Sequence, residues 1–399
     1  MVTGPRQSGK TTLLQHLREP ERQFVSLDDL DMRRLAQDDP KLFLARFPPP
    51  LVIDEFQYAP DLLPYIKIAV DELRTRGHNE EAAGMYWLTG SQQFVLMRHV
   101  RESLAGRVAI FNLLGFEPAE LAGVRPGGPT VFDASMDDIV PWAERPAPRD
   151  VFSRIINGSM PGFLTTDADA DTRRQYYSSY VQTYLERDVS AIDGIRNLRG
   201  FELCFRLLAA RAGQLVNYAD LARDVGVSAM TIRAWLAILE RSFHVITIAP
   251  YYRSLSKRLV KTPKVYFLDS GLHAWLTGWN DPDTALSGPL AGSLFENWVV
   301  GLLVRGGWHR GTDHGLSFWR TTTGQEVDIW RESAGRIDAA EVKLRAGGEI
   351  ASIARRAFGS LDSIDPSPFA WGRRLLFTLG DRILPLDPQT WQVPVQYIG

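Results

Sequence analysis

Gly4 and Gly9, followed directly by Lys10 and Thr11, are the first residues in the chain whose types and spacing could do chemistry. Glycines at both ends of a short loop permit backbone angles that turn successive N–H groups toward phosphate oxygens. The run Gly4-Pro5-Arg6-Gln7-Ser8-Gly9-Lys10-Thr11, with Thr12 behind it, reads as a cradle for the phosphates of ATP. A helix opening at Lys10 adds the positive end of its dipole. Lys10 would set a point charge on the β- and γ-phosphate oxygens, and the Thr11 hydroxyl would be a ligand of magnesium. Further on, Leu51-Val52-Ile53-Asp54-Glu55 is an apolar strand that ends in two carboxylates. Such a pair suits a metal-holding group, Asp54, beside a group that polarises the attacking water, Glu55.

A second group lies near the other end of the chain, in Glu326-Val327-Asp328-Ile329 and Glu341-Val342-Lys343. Side chains alternate along a strand, so Asp328 and Glu341 on facing strands can point at one metal ion. Lys343 shares the face of Glu341, where it could orient a water or stabilise developing charge. Glu296, on a preceding helix, offers a third carboxylate. The plainer reading is a charged, exposed hairpin.

A third group is basic. Arg253, Lys257, Arg258, Lys261 and Lys264 lie between Tyr251-Tyr252 and Tyr266 with no acidic residue among them, and Arg233 and Trp235 precede them. Basic residues interleaved with aromatics can grip a nucleic-acid backbone, DNA being the expected partner. A module that only packs between domains explains them equally well. His309 and His314 flank a turn with Asp313, but no second ligand pair stands near them, so zinc has no support. Ser103 and Ser159 have no His/Asp partner recognisable in sequence, so neither does a hydrolase triad.

The elements that must position these groups follow from periodicity. Phe24-Val25-Ser26-Leu27, Leu51-Val52-Ile53 and Met85-Tyr86-Trp87-Leu88 are apolar strand-like runs with helical stretches between them. That alternation predicts a parallel α/β sheet. Residues 123–129 and 141–148 are rich in Gly and Pro and bracket a linker with a short helix. From Val151 the pattern is helical, and Tyr176, Tyr177, Tyr180, Val181, Tyr184 and Leu185 make a stripe that suits core packing. Tyr218-Ala219-Asp220-Leu221-Ala222, the turn Gly226-Val227-Ser228 with Ser228 as cap, and Met230 to Leu239 suggest a helix-turn-helix. Strand-like runs at Val245-Ile246-Thr247-Ile248 and Val265-Tyr266-Phe267-Leu268 would be its wing. A helix from Leu294 to Val304 leads to strands at Ser317-Phe318-Trp319, at Glu326 to Ile329 and at Ala339 to Val342, then a helix near Ile350 to Leu361.

Bulk composition fits this plan. A chain of 399 residues implies several domains, and 45% hydrophobic with 23% charged residues is ordinary for a globular protein. Net charge of −2 announces no global field, so any basic patch is local. The single cysteine, Cys204, excludes an internal disulfide and reads as a small buried hydrophobe. No apolar run reaches the roughly 18 residues of a membrane span. With the loop beginning at residue 4, no leader is expected ahead of it, and a cytoplasmic location follows.

The cradle, Ser26-Leu27-Asp28-Asp29, Asp54-Glu55-Phe56-Gln57, Leu88-Thr89-Gly90-Ser91 and Ser103-Leu104-Ala105-Gly106-Arg107 together resemble a prokaryotic AAA-superfamily ATPase. That family carries a C-terminal domain of unknown function, and the resemblance covers nearly the whole chain. It implies Ser91 as a sensor near the γ-phosphate. It implies Arg107 as an arginine finger, in its own or a neighbouring subunit's site, against the alternative of an ordinary surface arginine. Homo-oligomers, as rings or dimers, are frequent among such relatives. Only Met1-Val2-Thr3 precede the loop, a stub of the strand that in this family sits mid-sheet. Glu296, Asp328, Glu341 and Lys343 resemble the PD-(D/E)xK nuclease fold, with which the family's C-terminal region has been linked.

The expected architecture is an α/β P-loop ATPase domain over residues 1–122, then a linker and helical region over 123–212. A winged-helix-like module over 213–285 and a small α/β PD-(D/E)xK-like domain over 286–399 complete it. The expected function is magnesium-dependent ATP hydrolysis acting on DNA, with metal-dependent cleavage by the last domain. The alternative is a nucleotide-gated switch or scaffold whose last domain cuts nothing and binds a protein partner.

Overall fold

The computed structural model describes the chain except at residues 91–103, 105, 125–129, 165–168, 191, 193–194, 253–260, 322, 345–349 and 399. It divides into two compact units, Met1–Gly115 with Arg241–Phe243, and Phe116–Glu240 with His244–Gly399.

In the first unit, short apolar runs become strands β1 (Val2–Thr3), β2 (Gln23–Ser26), β3 (Leu51–Asp54), β4 (Tyr86–Gly90) and β5 (Phe111–Asn112). They form one sheet in the order β2-β3-β4-β1-β5, every pairing parallel. The stub β1 sits mid-sheet as expected, Val2 facing Thr89 on one side and Phe111 on the other. All four residues of β3 are buried, so Asp54 is carried to the sheet's carboxyl edge by a strand covered on both faces. Leu27, Phe43, Leu51, Ile53, Phe56 and Leu63 are completely buried in the core that covers it.

The second unit begins with helices. Tyr177, Tyr180, Val181, Tyr184 and Leu185 are buried, so the aromatic stripe is core. Helices Leu198–Ala210, Tyr218–Val225 and Ala229–Arg241 follow. Ser228 caps the last of these through Thr231 N at 3.0 Å, as its place in the sequence predicts. Gly226 ends the helix before it at φ +78°. An antiparallel hairpin, β6 (Val245–Ile248) and β7 (Lys264–Phe267), comes next. Cys204 is fully buried, and burial pushes its thiol up to about 12.

Helix Ala291–His309 is buried on nearly every face and leads into a six-stranded sheet. Its strands are β8 (Leu316–Arg320), β9 (Glu326–Ser333), β10 (Arg336–Val342), β11 (Ala370–Thr378), β12 (Leu384–Pro385) and β13 (Thr390–Pro394), in the order β12-β13-β11-β10-β9-β8. The last three lie beyond the strands expected from sequence, in a stretch broken by Pro366, Pro368, Pro385 and Pro388. Helix Ile350–Phe358 packs through Ala354 and Phe358 with Val327, Trp330 and Leu376 of the sheet. Among the described residues, no helix is long and apolar enough to cross a membrane.

The linker expectation needs correction. Residues 130–147 have turns and bends but no helix until Pro148, and they lie as a strap on the C-terminal sheet. Phe132 meets Phe377 edge-on at 6.3 Å, Asp133 pairs with Arg331 (2.9 Å) and Arg336 (2.7 Å), and Trp142 packs against Trp298 at 6.2 Å. Distant anchors, not local periodicity, set the strap's conformation.

Candidate functional site

β1 delivers the chain into the loop that ends at helix Lys10–Leu17. Gly9 caps that helix at φ +87°, an angle that a side chain would resist. A Cβ on Gly4 would come 2.0 Å from the carbonyl oxygen of Leu113, so only glycine lets the loop close against the chain leaving β5. Pro5 and Ser8 are buried, Arg6 is half-buried, and Gln7 and Thr12 are exposed.

The Lys10 ammonium is buried and donates to the loop's own carbonyls, Pro5 at 2.6 Å and Gly4 at 3.2 Å. Burial pulls its pKa down to about 8, with Glu55 and Asp54 pulling the other way and Arg6 assisting. The Thr11 hydroxyl donates to Asp54 Oδ1 at 2.9 Å, and Ser26 reaches Oδ2 at 3.3 Å. Burial holds the Asp54 carboxyl above its usual range against these two hydrogen bonds. Glu55 lies at φ +51°, a strained angle for a residue with a side chain, and its carboxylate accepts from the Gln57 amide. A hydroxyl, a carboxylate and an ammonium thus meet where β1 and β3 end, beside a loop with glycine at both of its ends. This donor set fits a magnesium–nucleoside triphosphate. Gln57, as the group that holds Glu55, escaped the sequence reading, although it stands inside the Asp54-to-Gln57 motif.

Ser91 lies outside the described residues. The Arg107 guanidinium pairs with Asp71 of helix Leu63–Thr75, Nε to Oδ1 at 2.6 Å and a second nitrogen to Oδ2 at 3.0 Å.

In the second unit, Glu296, Asp328, Glu341 and Lys343 are drawn together. Lys343 Nζ lies 2.6 Å from Glu341 Oε2 and 3.7 Å from Asp328 Oδ2, which also accepts from Val342 N at 3.1 Å. Two further residues enter this cluster. Lys264 on β7 places its Nζ 2.5 Å from Glu326 Oε1, 3.6 Å from Glu296 Oε1 and 3.7 Å from Asp328 Oδ1. The Tyr266 hydroxyl donates to Glu296 Oε1 at 2.7 Å. Burial, then the charge of Asp328, holds the carboxyls of Glu296 and Glu341 well above the usual range, Lys264 and Lys343 opposing. Burial works against the Lys264 charge, but Glu296, Asp328 and Glu326 outweigh it and its pKa is raised. The carboxylates are therefore gathered around lysines. Among the described residues, no three His, Cys, Asp or Glu side chains are grouped to hold a metal ion. On the open side, Glu341 and Lys343 line a cavity of about 460 Å³ with Leu344, Ile353, Arg356 and Ala357.

The basic hairpin is corrected in part. Lys264 and Tyr266, grouped there as a grip on nucleic acid, are buried in the carboxylate cluster. Trp235 is core, edge-on to Phe201 at 5.5 Å, and Arg233 stacks over Tyr218 at 3.9 Å. Tyr251 packs against Trp330 at 5.1 Å. Lys261 is exposed, whereas Arg253, Lys257 and Arg258 lie outside the described residues. Ser159 does have an acidic partner in space, its hydroxyl donating to Asp269 at 2.8 Å. His309 faces Glu117 at 3.4 Å, and His314 faces Asp313 at 3.7 Å.

Comparison with known proteins matches three stretches of the chain to family models. Residues 1–122 match the family model described as an AAA domain. Residues 148–283 and 291–398 match two models described as domains of unknown function, DUF8612 and DUF4143. The uncharacterized proteins Rv2008c of Mycobacterium tuberculosis and Mb2031c of Mycobacterium bovis are each 28% identical over 401 residues, spanning 100% of this chain and 80% of their own. A solved structure, the Walker-type ATPase PABY2304 of Pyrococcus abyssi, is similar over 69% of this chain and 89% of its own, with 13% identity and a TM-score of 0.40.

Proposed function

We propose that the chain binds ATP with magnesium, hydrolyses it, and uses the cycle as a switch that governs its C-terminal half. The observation that carries this reading is the Thr11–Asp54 hydrogen bond of 2.9 Å beside the buried Lys10 ammonium. Thr11 and Asp54 would hold the magnesium ion, which when bound neutralises charge on the β- and γ-phosphates. Lys10 trades the carbonyls of Pro5 and Gly4 for phosphate oxygens. Glu55, aimed by Gln57, orients a water and accepts its proton. Arg107 belongs to this proposal as a finger, in its own or a neighbouring copy's site, only if it exchanges Asp71 for phosphate.

Glu55→Gln protein should bind ATP normally and turn it over roughly 10²- to 10³-fold more slowly. Phosphate release and fluorescent-nucleotide binding measure the two separately. Loss of binding together with turnover would remove Glu55 from the water-activating role.

The helices from Leu198 to Arg241 and the β6–β7 hairpin support a winged-helix module. Its contact with DNA rests on the basic run 253–261 alone. The C-terminal sheet, helix Ala291–His309 and the Asp328–Glu341–Lys343 arrangement support a PD-(D/E)xK-type module. With Lys264 seated among the carboxylates, we read that module as a docking or gated element that does not cut. Cleavage of DNA is the second reading, favoured by the cavity beside Glu341 and Lys343. Labelled single- and double-stranded DNA incubated with magnesium or manganese, with and without ATP, separates them. Wild-type protein is expected to leave both intact. Metal-dependent cutting that Asp328→Ala abolishes would establish the second reading instead.

A further inference from the structure

Arg305, near the end of helix Ala291–His309, is 1% exposed. Among the described residues its guanidinium has one hydrogen-bond partner, the Leu268 carbonyl, which accepts from Nη1 at 3.3 Å. Its Nε is buried with no partner, and no described carboxylate pairs with it. Burial holds its pKa below the usual arginine range, with Glu117 and Asp269 opposing from beyond pairing distance. Both carboxylates have nearer partners, Glu117 in His309 at 3.4 Å and Asp269 in the Ser159 and Tyr177 hydroxyls at 2.8 Å. A guanidinium at this depth is costly unless an anion meets it. Arg305 lines a cavity of about 310 Å³ with Arg154, Ser153, Leu121, Leu164 and Trp298. Arg154, on helix Pro148–Asn157, is half-buried and lies over the Trp142 ring at 4.6 Å. Two guanidiniums therefore share one cavity with an apolar wall.

We propose that this cavity binds an apolar monocarboxylate, its oxygens paired with the Arg305 fork and its body on Trp298, Leu121 and Leu164. The planar fork takes a carboxylate through two parallel N–H···O bonds, and Nε supplies a donor that no described group uses. Arg154 adds a second positive charge, and apolar walls with a few placed polar groups are what a small-molecule site needs. The local charge selects one negative charge over two. Asp150 also lines the cavity, and Glu117 acts on Arg305, so a dianionic phosphate would meet two carboxylates. The lining residues all belong to the second unit, so the site does not depend on the phosphate loop or on ATP hydrolysis.

The test titrates the full chain, without nucleotide, with benzoate and with hexanoate, followed by calorimetry and ligand-observed NMR. One of the two should bind at one site per chain with a Kd on the order of 1 mM or below. Its neutral amide, benzamide or hexanamide, should bind roughly tenfold or more weakly, since it leaves the guanidinium charge unmet. Arg305→Met should abolish carboxylate binding, whereas Lys10→Ala should leave it unchanged, which separates this site from the phosphate loop. Arg305→Lys keeps the charge without the fork and should weaken binding roughly tenfold, which serves if the methionine variant does not fold. Arg154→Gln, at a half-buried position, should weaken the carboxylate several-fold and leave the amide where it was. Saturable binding of neither carboxylate to wild type would overturn the proposal. So would binding that the folded Arg305 variants leave intact or, if neither folds, that Arg154→Gln leaves intact. Inorganic phosphate bound more tightly than either carboxylate, and lost with Arg305, would overturn the carboxylate assignment in favour of a phosphate site.

Discussion

Lys10→Ala protein should turn over ATP about a thousandfold or more slowly while melting at nearly the wild-type temperature. The ammonium stands at the loop, held by Pro5 and Gly4 carbonyls at 2.6 and 3.2 Å, so nothing else has to move for phosphate to replace them. Among the described residues, the Arg107 guanidinium is engaged with Asp71. Folding depends on Lys10 far less than chemistry does. Burial has already lowered its pKa to about 8, which means that the charged form is held at a cost to the fold. Removing it relieves some of that cost, and an unchanged melt would separate lost turnover from unfolding. Phosphate release measured beside a thermal melt checks both halves. Turnover close to wild type would show that hydrolysis occurs elsewhere in the chain.

The second large effect is on stability. Asp269→Ala should lower stability by about 3–5 kcal/mol and Tm by roughly 6–15 °C. The Asp269 carboxylate is buried and accepts four hydrogen bonds, from Ser159 N (2.7 Å), Ser159 Oγ (2.8 Å), Tyr177 Oη (2.8 Å) and Leu272 N (2.7 Å). These tie the turn after helix Pro148–Asn157 to helices Ala170–Thr183 and Ser270–Leu276. Alanine would leave the donors without a partner in the interior. The approach is so close that a Cβ on Gly158 or Gly271 would come 2.2 or 2.1 Å from Tyr177 Oη. Asp269→Asn keeps one acceptor oxygen and should lose less than half as much. A melt of Asp269→Ala within about 2 °C of wild type would show that water or a shifted side chain satisfies those donors.

What could be seen in the sequence was chemistry carried by neighbours along the chain. The phosphate loop, β3 with Asp54 and Glu55, the tyrosine stripe and the Ser228 cap all depend on residues within a turn or two of one another. Asp328, Glu341 and Lys343 were legible because two adjacent strands with period two place them. What stayed hidden depends on partners far away. Lys264 stands next to a basic run and was grouped with it, whereas its partners are on a helix and a strand that follow. One local sign was present, since Lys264 and Tyr266 alternate with Val265 and Phe267 in a strand that is buried throughout. Arg107 finds Asp71 across 36 positions, and Ser159 finds Asp269 across 110. Neither pairing has a periodicity from which it could be read.

The strap over residues 130–147 matters to how the protein is made. Asp133 waits for Arg331, 198 positions later, and the Val131 carbonyl for Arg373, 242 positions later. At a synthesis rate of roughly 5–20 residues per second, those partners leave the ribosome some ten to fifty seconds after the strap does. Until then Phe132, buried in the finished protein, lacks the Phe377 ring, and Trp142 waits on Trp298. Nascent chains stalled between residues 150 and 320 should for this reason be held by chaperones that recognise exposed aromatics, and released once β9 to β11 have emerged.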